Sequence, residues 1–320
     1  MSDRPKVYID GHVGTVGLRI RDSLSPRDDL AVLTIPDELR KNPDARRDRM
    51  LAADIAILCL PDNEVAEAVS WVAGSSTRLI DASTAHRVSE GWIYGLPELG
   101  PRQRDLIRNA ERVSNPGCYP SGVVLLVGPL VEMRLIEPDT PIVVHALSGY
   151  SGGGRAMIER WEHADSHLRG LPYEAPYGFG GPHKHLPEMI KYSGLKTPPQ
   201  FLPAVGPFRC GMRVQVQIHV SGRSEKQDPE AIWQVLHERY RDEPFVNVIP
   251  LIDQPKADEK TFDPQACNDT NRMDIRLLAH ANGHLTLMAI LDNLGKGASG
   301  AAVQNLNLML GLSEGAGLRA

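Results

Sequence analysis

A thiol, a pair of imidazoles and a glycine-rich turn stand out as the groups in this chain able to do covalent or cofactor chemistry. The thiol is Cys118, in Ser114-Asn115-Pro116-Gly117-Cys118-Tyr119-Pro120-Ser121. Pro and Gly interrupt a short strand there, and the apolar run Cys118–Met133 that follows reads as a helix. A thiol in the first turn of a helix feels the positive end of the aligned peptide dipoles, which favours thiolate and makes it a nucleophile. Pro120 is tolerated in that turn because the N–H it lacks has no intrahelical partner anyway. The competing fate of a cysteine is a small core hydrophobe. That fits Cys59, inside Ala-Ile-Leu-Cys-Leu, whereas Cys267 reads as a loop or surface thiol and Cys210 is open. The four cysteines are far apart and form no CxxC pair, so neither a disulfide framework nor a zinc site is expected.

A cysteine nucleophile needs a proton acceptor, and histidine is the commonest. Of eleven histidines, His183 and His185 attract attention. They lie in His183-Lys184-His185-Leu186-Pro187-Glu188, which leaves a Gly/Pro loop and opens a helix. Two histidines two apart also suit a metal, but no third ligand matches them, and acid/base use is the preferred reading. Plain surface histidines are its competitor, and His163, His167, His237 and His280 are read as structural. Arg87, Arg155 and Arg209 are candidate grips for a carboxylate or phosphate, since a guanidinium binds such groups in bidentate fashion.

Gly11-His12-Val13-Gly14-Thr15-Val16-Gly17 is a second chemical signal. It lies between a strand, Lys6–Asp10, and a helix whose Val16, Ile20 and Leu24 recur on one face. The pattern is GxxGxxG instead of the usual GxGxxG. The logic is unchanged: glycines let the backbone approach a pyrophosphate, and the helix start presents N–H groups to it. A tight turn without a ligand is the bland alternative. NAD against NADP stays open on residues alone, because Ile35-Pro36-Asp37-Glu38 is followed by Arg40 and Lys41. A second glycine stretch, Ser148–Arg155, suits a close approach to a ligand or a mobile connection.

The elements that must position these groups fall into two sets. Strands at Lys6–Asp10, Ala31–Ile35, Ile55–Leu60 and Arg78–Asp81 alternate with helical segments at Arg46–Ala53 and Glu64–Val72. That is the pattern of a doubly wound parallel sheet. Beyond Gly117 a strand at Ile142–Ala146 precedes a strictly alternating one, with Val214, Val216, Ile218 and Val220 on one face. Met273–Ala279 and His284–Leu291 read as a hairpin through Asn282-Gly283. The second half is thus an α+β, mixed-sheet domain, and a helix over Ala298–Leu312 ends the chain. Leu171–Pro182, rich in Gly, Pro and aromatics, reads as a functional or interface loop.

The 320 residues allow two domains, and 42% hydrophobic with 23% charged residues is ordinary for a globular protein. A formal net charge of −5 argues against nucleic acid as the main partner. No secretory signal opens the chain, and no run is long and apolar enough for a bilayer, so the cytoplasm is the expected location and no membrane partner is expected.

Taken together these segments resemble the short form of the N-acetyl-gamma-glutamyl-phosphate reductase family, over nearly the whole chain. The nucleophile segment Ser114–Pro120 carries most of the likeness, with the glycine turn, Tyr94-Gly95-Leu96-Pro97-Glu98, the Ser148–Arg155 loop, His183–Glu188, and Asp292–Gly300 followed by Gln304-Asn305. The resemblance implies NADP as cofactor and a small acyl phosphate as substrate. It implies Cys118 as nucleophile, with His185 as acid/base and His183 second. Gly11, Gly14, Thr15, Val16, Gly17, Ser151, Gly152, Gly153, Lys296 and Gly297 are then expected at the cofactor, and Asn115, Arg87, Arg155 and Arg209 at the substrate, with no metal. The expected domains are 1–117 with 293–320, Rossmann-type and NADP-binding, and 118–292, catalytic and dimerising, in a homodimer or homotetramer. Two departures are Phe208-Arg209-Cys210-Gly211, where related chains tend to have Asn-Arg-Gly, and Asp10 ahead of the glycine turn. Rival readings are an aspartate-semialdehyde dehydrogenase, although Asn-Cys is usual at its nucleophile, and a lysine-pathway reductase of an aminoadipyl phosphate. A Cys-His hydrolase or acyltransferase and a non-catalytic dinucleotide-binding regulator are rivals of other classes.

Overall fold

The computed structural model describes residues 4–219, 228–253, 257–280 and 284–320. The chain divides into two compact units, the first Met1–Pro116 with Ala298–Leu318, the second Gly117–Gly297 with Arg319–Ala320.

The first unit is built on β1 (Lys6–Asp10), β2 (Ala31–Leu33), β3 (Ile55–Leu58), β4 (Arg78–Asp81), β5 (Ile93–Tyr94) and β6 (Arg112–Ser114). They form one sheet in the order β2-β1-β3-β4-β6-β5, all neighbours parallel. Helices α1 (Thr15–Leu24), α2 (Pro43–Leu51), α3 (Asp62–Trp71) and α4 (Gln103–Asn109) connect the strands. Both faces of the sheet are covered, which is why β3 is a continuous apolar run. Val7, Ile9, Ile55 and Ile57 pack with Ile20, Leu24 and Leu306 on one face; Tyr8, Ala56 and Leu58 pack with Met50 and Val65 on the other.

The second unit opens with α5 (Cys118–Glu132), followed by β7 (Val143–Gly149), α6 (Gly154–Glu162), β8 (Ala175–Pro176), α7 (Leu186–Ser193), β9 (Gln200–Gly206) and β10 (Met212–His219). Then come α8 (Pro229–Tyr240), β11 (Val246–Val248), β12 (Ile252–Asp253), β13 (Met273–Ala279) and β14 (His284–Leu291). The strands form a mixed sheet, β11-β13-β14-β10-β7-β9-β8 with β12 on β13; β7–β10, β10–β14 and β13–β14 are antiparallel and β7–β9 is parallel. Val214, Val216 and Ile218 are buried as the alternation requires. Val220 and the Asn282-Gly283 turn lie outside the described residues. The last helix, α9 (Gly300–Met309), is shorter than expected because residues 295–299 form a π-turn, and it packs in the first unit. The division before α9 falls after Gly297, later than the expected 293, because Asn293 accepts from Gly211 N at 2.8 Å and donates to Ser151 Oγ at 3.0 Å within the second unit. Among the described residues no helix is long and apolar enough to cross a membrane.

Helix α5 is apolar on all sides, as a helix enclosed in a core must be. Pro129 lies inside it and cannot donate to the carbonyl of Leu125 four residues back. The buried Tyr240 hydroxyl of α8 donates to that carbonyl instead, at 2.8 Å. Tyr240→Phe leaves the carbonyl without its donor and is expected to lower unfolding stability by about 1–3 kcal/mol, measured by urea titration. An unchanged midpoint would show that this hydrogen bond contributes nothing.

Candidate active site

Cys118 is the first residue of α5, half-buried, behind an N-cap, Gly117, that has no side-chain cap. No acidic residue of the helix occupies its first turn, so the dipole acts on the sulfur without opposition from α5's own side chains. The Gly117 N–H donates to the buried Glu188 carboxylate of α7 at 3.0 Å. That bond ties the nucleophile's elbow to the helix that His185 caps. From the other direction Gly297 approaches Cys118 so closely that a Cβ there would stand 2.8 Å from the Cys118 Cβ. Only glycine fits, and its N–H is held by Asp292 O at 2.9 Å.

The structure brings both histidines into this unit beside Tyr119, the residue after the thiol. Ring centroids are 5.8 Å apart for Tyr119–His185, 6.0 Å for Tyr119–His183 and 4.8 Å for His183–His185. His183 Nδ1 accepts from the His185 backbone N–H at 3.2 Å. A neutral His183 therefore carries its proton on Nε2, and neither ring nitrogen is then open to take another. Burial, with Lys184 next to it, lowers the His183 pKa and keeps it neutral at pH 7. His185 itself is 7% exposed. Elsewhere His237 stacks on Trp233 and His280 bonds Thr286.

The other thiols differ. Cys267 is fully buried against Met288, Ile290 and Phe262, which overturns its reading as a surface group. Burial pushes its pKa up to about 11, with the nearby Asp274 carboxylate adding to the rise. Cys59 rises to about 12 through desolvation, then through Asp81 and Asp10. Both are thiols at pH 8, since a raised pKa keeps the proton on. Brief iodoacetamide treatment at pH 8 is expected to alkylate Cys118 and leave Cys59 and Cys267 unmodified by peptide mass mapping, with activity lost in parallel. Alkylation of Cys59 ahead of Cys118 would contradict the electrostatic reading of the helix start.

In the first unit the glycine turn has the expected form. Gly11 adopts φ +84°, and a Cβ there would run into the Cys59 carbonyl. Gly14 is the N-cap of α1 and donates to Gly11 O at 3.0 Å; α1 has neither a side-chain cap nor an acidic residue in its first turn. A phosphate fits such a helix start. Thr15 and buried Gly17 offer backbone N–H groups there, whereas the Val16 side chain packs into the core. Asp37, 83% exposed, lies beyond β2 at 4.0 Å from His12 and is followed by Arg40 and Lys41, so groups for a ribose hydroxyl and for a 2′-phosphate are both present.

Other expected ligand residues are committed to the fold. Asn115 is 1% exposed; its amide donates to Ala298 O at 2.9 Å and accepts from Asn305 Nδ2 at 3.2 Å, so it braces the strand end. Lys296 is fully buried, with its ammonium 5.8 Å from the Phe245 ring centre. Ser151 is 1% exposed between Asn293 and Cys210. Gly152 approaches Ser148 Oγ, and Gly153 ends the turn that precedes α6. Arg155 pairs with Glu159 and Arg209 with Glu162, each at 2.8 Å on exposed surface. Arg87 belongs to the first unit and is 8% exposed. Its loop is held by Asp81, whose carboxylate bonds Ser83 N, Ser83 Oγ and His86 Nδ1 at 2.7–2.9 Å.

The model of the semialdehyde dehydrogenase dimerisation domain matches residues 118–293, and that of the semialdehyde dehydrogenase NAD binding domain matches residues 14–107. N-acetyl-gamma-glutamyl-phosphate reductase 2 of Nostoc sp. is 44% identical over 99% of this chain and 100% of its own length. The chain belongs to the N-acetyl-gamma-glutamyl-phosphate reductase family. N-acetyl-gamma-glutamyl-phosphate reductase of Burkholderia cenocepacia is 45% identical, covering 98% of this chain and 99% of its own. Among solved structures, aspartate semialdehyde dehydrogenase II of Vibrio cholerae superposes with a TM-score of 0.71 at 16% identity, covering 97% of this chain and 99% of that one. Aspartate semialdehyde dehydrogenase of Candida albicans, solved with NADP, gives 0.68 at 15%, covering 96% and 98%. At that distance the likeness establishes the fold, and membership of this family is carried by the sequence relatives.

Proposed function

We propose that this enzyme reduces N-acetyl-gamma-glutamyl phosphate to N-acetylglutamate semialdehyde and phosphate with NADPH, through a thioester on Cys118. The observation that carries the reading is a thiol at an uncapped helix start, in one unit with a histidine pair whose hydrogen bonding leaves His185 to exchange the proton. His185 takes the thiol proton, the Cys118 sulfur attacks the acyl carbon, and phosphate leaves with its bonding pair. NADPH would supply the hydride for the thioester carbon, leaving a tetrahedral thiohemiacetal anion on Cys118. Backbone N–H groups at the start of α5 stabilise that anion. Collapse to the aldehyde expels the thiolate, and His185 returns the proton. The α1 N-terminus with Gly11, Gly14 and Gly17 would hold the cofactor's pyrophosphate, with Arg40 and Lys41 as the groups for its 2′-phosphate; in the second unit the Ser151–Gly153 loop and Gly297 are the proposed cofactor residues. Arg87 is the arginine proposed to grip substrate, because its loop is already rigid; Arg155 and Arg209 serve as a looser second choice.

The exposed face of β7, β9 and β10, with Val143 and Leu202 each 37% exposed beside His145 and Gln215, is the proposed contact of a homodimer or of a tetramer built from it. A cytoplasmic location is part of the same proposal. Phosphate-dependent NADP reduction with a panel of semialdehydes tests the whole reading. N-acetylglutamate semialdehyde is expected to be turned over at least tenfold faster than aspartate or aminoadipate semialdehyde (an order-of-magnitude expectation). Equal or faster turnover of either rival overturns the substrate assignment.

A further inference from the structure

Two carboxylates are buried at the end of the first unit's sheet where an anionic cofactor is expected. Asp10 ends β1 and Asp81 ends β4, and both stand level with Leu58 of the strand between them. Two strand spacings put them about 10 Å apart. They are 1% and 0% exposed, so water screens neither. Ligands of a doubly wound sheet sit at the carboxyl ends of its strands, and Asp10 immediately precedes Gly11 of the glycine turn. A bare carboxylate at that position repels a phosphate that approaches the turn.

The fold answers the two acids differently. Asp81 is bonded by Ser83 N, Ser83 Oγ and His86 Nδ1. Asp10 meets a guanidinium in bidentate fashion, with Arg46 Nε 3.0 Å from Oδ1 and Arg46 Nη2 3.0 Å from Oδ2. Arg46 is a residue of α2, a helix whose start is fixed by Asn42, the side chain of which accepts from Ala45 N at 2.9 Å. Its neighbours Arg47 and Arg49 are exposed, whereas the Arg46 side chain is 11% exposed and its guanidinium lies over the Trp71 ring of α3 at 5.0 Å. The Asp10 carbonyl accepts from Cys59 N at 2.8 Å, so backbone and side chain of the acid are both held.

We propose that Arg46 governs the affinity of the first unit for NADPH through Asp10, cancelling the carboxylate charge next to the Gly11–Gly17 turn so that a pyrophosphate meets backbone donors without an opposing anion. Arg46 acts through Asp10 and is a positioning residue. The inference rests on the reading of the glycine turn as the pyrophosphate site. It also accounts for an acid ahead of that turn, where related chains tend to carry a small or apolar residue: α2 supplies the counter-charge. The consequence is a difference of sign. A pair that only tied β1 to α2 would, broken from either side, weaken cofactor binding or leave it unchanged. Charge balance makes the two partners act in opposite directions, because one removes a positive charge near the phosphates and the other a negative one.

The full-length enzyme is compared with Asp10→Asn, Arg46→Met and the double variant by fluorescence titration with NADPH at pH 8, beside thermal unfolding of each ligand-free protein. Arg46→Met leaves Asp10 without its counter-charge and is expected to raise the NADPH Kd about tenfold. Asp10→Asn keeps the shape and one acceptor for Arg46 but removes the negative charge. It is expected to lower the Kd about threefold although the ligand-free protein melts at a lower temperature than the parent, a combination that a purely structural tie does not produce. The double variant is expected to return to within about twofold of the parent. Should Arg46→Met fail to fold, the direction of the Asp10→Asn change decides alone. Weaker or unchanged NADPH binding in Asp10→Asn, or an unchanged Kd in a folded Arg46→Met, would overturn the inference. A parent enzyme that binds no NADPH would instead remove the cofactor reading beneath it, so the two failures are separable.

Discussion

Cys118→Ser is expected to lose reductase activity by at least about 10⁴-fold while binding NADPH with unchanged affinity. Serine is nearly the same size, so Gly117, Gly297 and the first turn of α5 keep their packing around it. What changes is acidity. A helix N-terminus contributes about 1 kcal/mol to a few kcal/mol of anion stabilisation, enough to bring a thiol into the physiological range and far too little for an alcohol. The cofactor segment Gly11–Gly17 belongs to the other unit and is not altered by the substitution. Fluorescence titration with NADPH beside steady-state turnover separates the two properties. Turnover within tenfold of the parent would exclude a Cys118 thioester.

The second large effect concerns the two imidazoles, and it is asymmetric. His185→Asn is expected to reduce kcat/KM by about 10²–10³, because the group proposed to take and return the proton is gone. His183→Asn is expected to cost less than about tenfold, because the Asn carbonyl can replace His183 Nδ1 as acceptor for the His185 N–H and so keep the His185 backbone in place. Both variants should melt cooperatively, since His183 and His185 lie outside the regular turns of α7. Measuring kcat/KM from pH 5.5 to 9 on each variant decides the matter. A large loss in His183→Asn with a normal His185→Asn reverses the assignment of the base.

Much of this site was legible before any coordinates. Strand ends at Asp10 and Asp81, the start of α5 at Cys118 and the bounds of β13 and β14 coincide with the expected ones. Each is written in local signals, namely apolar periodicity, Gly and Pro. The helical stretches Gly154–Glu162 and Pro229–Tyr240 were not anticipated. The first hides behind a glycine run, and the second adjoins residues with no clear pattern. Asn115 and Lys296 show what a local signal leaves out. The Asn near Cys118 and the Lys between two glycines look like ligand groups, and only the fold adds that one is bonded to Asn305, 190 residues away, and that the other lies beside Phe245. Tyr119 and Glu188 were in view only as neighbours of Cys118 and His185. Their partners, Tyr177 and Gly117, stand far from them in the chain, and Gly117 acts through its backbone N–H.

The sequence by itself determined the chemistry at each end of a helix or strand. It placed a thiol where peptide dipoles converge, a glycine turn where a phosphate can approach, and two histidines at the mouth of a helix, because these depend on residues within a few positions of one another. Only the tertiary structure decided which nitrogen of His183 is occupied and which amides are bonded within the scaffold. Those outcomes are set by hydrogen bonds between segments that have no pattern in common, and a donor acquires its acceptor only when the fold delivers it.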